Sequence, residues 1–241
     1  MSSLLDPSDT FATLCTTLGI DVRLRKALAR NGYVRPTLVQ SKCLPLAIAS
    51  GRDLLVRART GSGKTLAYCL PVLHKILSFK SSSDINANSH EDGFVKAVIL
   101  VPTRELCAQV TNAINSLIYY CDELISVAVL SGGGGGKKSN SNRHGTMAQQ
   151  EAMLRDRPDI IVSTPAGLLT HIRNGGLLKD TLKHSVDSLV VDEADLVLSF
   201  GELTLFLHLF LCPLLLKTYR YLVYFLHLSK PFVCVEPRHI Y

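Results

Sequence analysis

An α/β fold, a parallel sheet with helices on both faces, is what the pattern of this 241-residue chain predicts. Three observations carry that expectation. Short apolar runs recur along the chain, longer amphipathic stretches separate them, and the first run leads through a glycine-rich turn straight into such a stretch. Strands that alternate with helices pair in parallel, because each helix returns the chain across a face of the sheet.

The elements follow in order. Residues 21–31 read as a helix, since Leu24, Ala27 and Leu28 share one face and Gly32 stands where a C-terminal cap belongs. A second helix follows Pro36-Thr37 and runs toward Gly51, with Pro45 expected to kink or interrupt it. From Asp53 onward the apolar runs are 54–56, 97–101, 127–130, 160–163 and 188–191. Between them lie helix-like stretches at 64–77, 104–120, 147–155 and 166–174. Two segments interrupt the alternation. Residues 78–93 are rich in Ser, Asn and Asp and are expected to form an exposed loop. Residues 131–145 contain five consecutive glycines, then Lys137 and Lys138, and read as a surface connection. No internal repeat is present.

Composition narrows the function classes. At 47% hydrophobic residues the chain has enough apolar surface to offset the entropy of ordering, which excludes a mostly disordered protein. A formal net charge of +6 and a pI near 9.0 suit a polyanionic partner. The seven cysteines show neither a C-x-x-C pair nor zinc-ligand spacing, so they are expected to be reduced and buried as small hydrophobes. The N-terminus lacks the basic start and apolar core of a secretory signal.

The first strand runs into Ala58-Arg59-Thr60-Gly61-Ser62-Gly63-Lys64-Thr65 and then an apolar helix, which is a P-loop in its expected setting. Ala58 takes the place of the usual first glycine and is still small enough for a tight turn. Gly61 and Gly63 allow backbone N–H groups to close around phosphate oxygens at the positive end of the helix. Lys64 is expected against the β- and γ-phosphates, and the Thr65 hydroxyl on a magnesium ion. A second motif, Asp192-Glu193-Ala194-Asp195, closes the apolar run 188–191. Carboxylates at the C-terminal end of a parallel strand face the crevice where such sheets bind ligands. Asp192 is the expected magnesium ligand and Glu193 the group that orients and helps deprotonate the attacking water. Together the two motifs indicate a magnesium-dependent NTPase.

With these motifs in place, residues 13–201 resemble a DEAD-box ATP-dependent RNA helicase, which implies a RecA-like first helicase domain. Gly32-Tyr33-Val34-Arg35-Pro36-Thr37-Leu38-Val39-Gln40 resembles the family's adenine-reading Q motif. There Gln40 would pair with the amino group and a ring nitrogen of adenine, making ATP the expected nucleotide, with Tyr33 and Pro36 beside it. In the family an upstream aromatic stacks on the base; by spacing that position falls near Cys15, and the nearest aromatic is Phe11. Pro102-Thr103-Arg104-Glu105-Leu106, the pair Gly132-Gly133, and Ser163-Thr164-Pro165-Ala166 resemble motifs that grip the RNA backbone. The residues implied in RNA contact are Pro102, Thr103, Arg104, Gly132, Gly133, Thr164 and Pro165. Gly167 stands where the family usually has arginine. The run from Val190 to Leu196 with Ser199-Phe200-Gly201, the form of the P-loop and Ser-Thr-Pro-Ala look most similar to the nucleolar branch involved in large ribosomal subunit maturation. That similarity implies a nuclear, nucleolar location and pre-ribosomal protein partners.

The expected organisation is an N-terminal helical segment with the Q motif at 1–41, an ATP-binding domain at 42–201, and an atypical apolar tail at 202–241. The family's Ser-Ala-Thr motif and the arginine-bearing second domain are not found. The tail holds half of the chain's Tyr and Phe residues but only two acidic ones, Glu202 and Glu236. A membrane span would need about eighteen or more apolar residues, and Pro213, His208, Lys217 and Arg220 interrupt this run. An extra core element would need a clean hydrophobic period, which it lacks. The expectation is therefore a sequence not selected to pack, such as a truncated or alternatively spliced product, with no membrane association. Two further function classes stay open: a fragment that binds nucleotide or RNA without turnover, and an unrelated P-loop NTPase.

Overall fold

The computed structural model describes residues 5–49, 53–83, 95–131, 146–173, 182, 185–199, 221–226 and 234–238. In chain order its elements begin with α1 (Phe11–Thr17), α2 (Val22–Arg30), α3 (Leu38–Ala49), β1 (Asp53–Arg57) and α4 (Lys64–Ser83). Then come β2 (Ala97–Leu100), α5 (Arg104–Leu117), β3 (Val127–Leu130), α6 (Met147–Arg155) and β4 (Ile160–Ser163). The remainder are α7 (Pro165–Arg173), β5 (Ser188–Val191), α8 (Ala194–Ser199), β6 (Tyr221–Leu226) and β7 (Cys234–Arg238). The strands and helices expected from 53 to 199 are all present, with ends shifted by a few residues at most in all but one.

That one is α4. It continues through Ser83, over residues expected to be loop. The hydroxyls of Ser78, Ser81 and Ser82 each donate to the carbonyl four residues back, so these serines satisfy themselves within the helix. Lys80 reaches the Leu124 carbonyl from the same stretch. Pro45 lies inside α3 without ending it.

Two compact units divide the chain. The first comprises Met1–His90, Asn112–Ile125 and Arg220–Tyr241. Its core gathers around α4, where Leu66, Ala67, Tyr68, Cys69, Leu70, Val72 and Leu73 are all buried, a helix apolar nearly all round because it is covered nearly all round. Asp21 caps α2 by accepting from Arg23 N–H and also pairs with the Arg23 guanidinium at 2.7 Å. Strand β1 pairs in parallel with β6, Leu54 opposite Val223, and antiparallel with β7, Leu55 opposite Glu236. Both partners come from the segment 202–241, which lacks a clean period in sequence.

The second unit comprises Glu91–Thr111 and Ser126–Tyr219. Its four strands are all parallel, with β4 between β3 and β2, and β2 between β4 and β5. Helices connect and flank them, as the apolar runs buried on both faces require: β2, β4 and β5 are buried throughout. Register aligns the strand ends. Leu100 lies opposite both Ser163 and Val191, and Ser163 opposite Leu130, so all four strands end in one row. Every motif that continues from a strand in this unit therefore emerges at the same edge of the sheet.

Candidate functional site

In the first unit β1 delivers the chain into the P-loop at Ala58, which is fully buried. Arg59, Thr60 and Gly61 form the exposed tip, while Ser62 and Lys64 turn inward and are buried. Gly61 and Gly63 have φ of +77° and +85°, a left-handed backbone that glycine adopts without penalty. The turn ends at the N-terminus of the 20-residue α4, where Thr65 is half-buried. The Ser62 hydroxyl is buried and has no hydrogen-bond partner among the described residues. A buried polar atom left unsatisfied beside a left-handed glycine turn and a helix N-terminus fits a bound phosphate group.

Gln40 links the Q motif to this turn. Its Oε1 accepts from Thr37 N–H at 2.8 Å, and its own N–H donates to Thr37 Oγ1 at 3.3 Å, a reciprocal capping box at the start of α3. Its Nε2 donates to the Gly63 carbonyl at 3.0 Å. One acceptor lone pair and one N–H of the amide remain, which is the pair of groups that reading adenine requires. A Cβ at Gly63 would collide with the Gln40 amide, so this glycine is needed for both backbone angle and space. Thr37 is absent from the residues that sequence reasoning singles out, although Thr-x-x-Gln before an apolar run is the signature of such a box.

The aromatic next to the Q motif is Phe11. Spacing points to Cys15, but Cys15 is buried in the core, where burial pushes its thiol up to about 11. The Phe11 ring instead meets Tyr33 edge-on at 6.1 Å, and its N–H donates to the Val34 carbonyl. Tyr33 itself is exposed.

In the second unit, β5 leads directly into Asp192, which is buried and whose N–H donates to the Leu100 carbonyl at 2.9 Å. Asp192 Oδ1 accepts from Glu193 N–H at 2.9 Å. Glu193 has φ of +49° and is half-exposed. Its carbonyl accepts from Leu196 and Val197 N–H, opening α8. A glutamate held in the left-handed region is strained, and such strain concentrates where a side chain must be aimed.

The other strand ends carry the remaining motifs. Thr103 Oγ1 caps α5 by accepting from Leu106 N–H, leaving Thr103 and Arg104 exposed beside the half-buried Pro102. Thr164 Oγ1 accepts from Gly167 N–H at 3.1 Å and caps α7, which opens on Pro165. Both Thr164 and Pro165 are buried. Gly132 and Gly133 lie outside the described residues.

Residues 37–208 match the family model for DEAD/DEAH box helicases. The chain belongs to that family. Among curated relatives, this helicase chain is 45% identical over 201 residues to a Dictyostelium discoideum protein named "Probable ATP-dependent RNA helicase ddx56", covering 83% of the chain and 26% of the relative. It is 43% identical over 185 residues to the ATP-dependent RNA helicase DBP9 of Coccidioides immitis, covering 77% and 27%. The chain thus spans about a quarter of the length of these relatives. A crystal structure of a hypothetical ATP-dependent RNA helicase from Sulfolobus tokodaii aligns with a TM-score of 0.64 and 27% identity, over 87% of the chain and 51% of that structure. The fold is RecA-like, as that neighbour shows. Membership in the helicase family removes the reading as an unrelated P-loop NTPase.

Among the described residues no helix is long and apolar enough to cross a membrane. Cys15, Cys43, Cys69, Cys107 and Cys121 are buried and form no disulfide, in keeping with the expectation of reduced, buried thiols. Burial raises the thiols of Cys43 and Cys107 to about 12, which keeps them unreactive.

Proposed function

We propose that this chain is the ATP-binding, RNA-gripping part of an ATP-dependent RNA helicase that acts in ribosome biogenesis. The observation that carries the nucleotide assignment is the hydrogen bond from Gln40 to the Gly63 carbonyl, which joins an adenine-reading amide to the phosphate-binding turn. Lys64 and the N–H groups of the turn bind the phosphates, and Gln40 selects adenine over guanine. Thr65 and Asp192 are each proposed as a magnesium ligand, an ion whose charge would neutralise the phosphates when bound. Glu193 orients the attacking water and takes its proton. Pro102, Thr103, Arg104, Gly132, Gly133, Thr164 and Pro165 contact the RNA backbone, so binding is largely independent of sequence. The names of the relatives support RNA as the partner, and the resemblance of the motifs to the nucleolar branch supports a nucleolar, pre-ribosomal setting.

The test is RNA-stimulated ATP hydrolysis by the full chain beside a Lys64→Ala control. Stimulated turnover that disappears in the control is the expected result. Nucleotide and RNA binding without turnover would replace it with the reading of a non-catalytic binding fragment.

A further inference from the structure

At the end of β3, two successive carbonyls, those of Leu130 and Ser131, have buried side chains within hydrogen-bonding reach. The Ser163 hydroxyl lies between the Leu130 and Thr164 carbonyls and can donate its one hydrogen to either, and Gln150 Nε2 donates to the Ser131 carbonyl at 3.0 Å. Gln150, on α6, is only 2% exposed. Its Oε1 lies 2.8 Å from His171 Nε2, on α7, and His171 is only 4% exposed. With the amide nitrogen engaged as a donor, Oε1 must accept, so the neutral imidazole carries its proton on Nε2. Burial holds this imidazole below its ordinary value, against the opposing pull of Glu151, and so favours the neutral form.

One chain of hydrogen bonds therefore joins the end of β3 to α6 and α7. Its two termini are informative. Ser131 immediately precedes Gly132-Gly133 in the sequence, and α7 begins at Pro165 with Thr164 as its cap. Both are segments assigned to the RNA backbone under Proposed function. A methionine and a phenylalanine would fill the same volume. A directional amide–imidazole pair instead fixes where the Ser131 carbonyl and α7 sit, and buried networks of this kind tolerate only one arrangement.

We propose that Gln150 and His171 are positioning residues for RNA: they hold the end of β3 and the Thr164–Pro165 turn in the arrangement that grips the backbone. The inference rests on the RNA contacts of that proposed function. Fluorescence anisotropy with labelled single-stranded oligouridine tests it on the full chain, with mant-ATP affinity measured in parallel. His171→Phe and the near-isosteric Gln150→Met are expected to weaken RNA binding about tenfold, the order set by losing one buried hydrogen bond. Nucleotide affinity stays within about twofold, because the change is confined to the RNA-gripping segments. His171→Gln, whose amide can donate to Gln150 Oε1, is expected to recover most of the loss. RNA affinity unchanged in Gln150→Met, a parallel fall in nucleotide affinity, or no recovery in His171→Gln would each overturn the proposal. Arg104→Ala separates this from the underlying reading. If it weakens RNA binding and the network variants do not, only the positioning role fails. If it leaves RNA binding intact, or if the unmodified chain binds no oligouridine, both fail.

Discussion

The P-loop and the Asp192-Glu193 turn are the same local device built from different residues. Each takes the chain from the end of a strand through a left-handed position into a helix N-terminus. At the P-loop the left-handed positions are glycines, Gly61 and Gly63, and the proposed phosphate contacts are made by backbone N–H groups. At the end of β5 the left-handed residue is Glu193, where glycine would be easier but would carry no carboxylate. A turn that binds by its backbone is thus free to be unstrained. A turn that must present a side chain keeps the strain, of order 1 kcal/mol or somewhat more.

The largest expected effect separates the two glycines of the P-loop. Gly63→Ala places a Cβ against the Gln40 amide as well as in a left-handed backbone, so mant-ATP binding should fall by about a hundredfold or more. Gly61→Ala meets nothing within 4 Å and carries only the backbone penalty, so it should cost about tenfold. Equal losses would show that the contact with Gln40 contributes nothing. At the other turn, Glu193→Gly should abolish turnover yet raise the melting temperature by about 2–4 °C, the shift that about 1 kcal/mol gives in a chain of this size. A lower melting temperature would mean that the strain argument is wrong and that the Glu193 side chain stabilises the fold.

The smallest effect concerns pH. Burial lowers His74, whose Nδ1 accepts from Asp21 N–H, and His171, with Asp21 and Glu151 respectively pulling upward. Both titrate below 6.5 when folded, so the unfolded chain binds more protons in that window. Their stabilisation is complete above pH 6.5 and is lost as pH falls through the folded values. Denaturant midpoints measured across this range should drop on acidification, with a shallower drop in His171→Gln. An identical slope in that variant would remove His171 from the account.

Much of the candidate site is legible in sequence because its residues are close together in the chain. The eight residues from Ala58 to Thr65 contain the small residues, the cation and the hydroxyl that a phosphate turn needs, and nothing distant is required to recognise them. The four strand ends of the second unit are also recognisable one at a time. Gln40 is identifiable, but its partners are less so: the capping box with Thr37 is local and within reach of the sequence, whereas its bond to Gly63 spans 23 positions. Counting residues favours Cys15 over Phe11 because it assumes one spacing, while packing chose the ring that reaches Tyr33. The helical serines of α4 read as loop because their intrinsic preference for turns is overridden only once each hydroxyl bonds within the helix.

By itself the sequence determined the α/β alternation, the family and where each motif falls in the chain, since periodicity and turn residues are properties of short windows. Only the tertiary structure decided which motifs share an edge, because that depends on strand register between Leu100, Leu130, Ser163 and Val191. It alone revealed the Gln150–His171 pair, two ordinary residues 21 positions apart whose meaning comes from a buried hydrogen bond. It also paired β6 and β7 with β1, a partnership set by backbone hydrogen bonds, which leave no periodic trace in side-chain order.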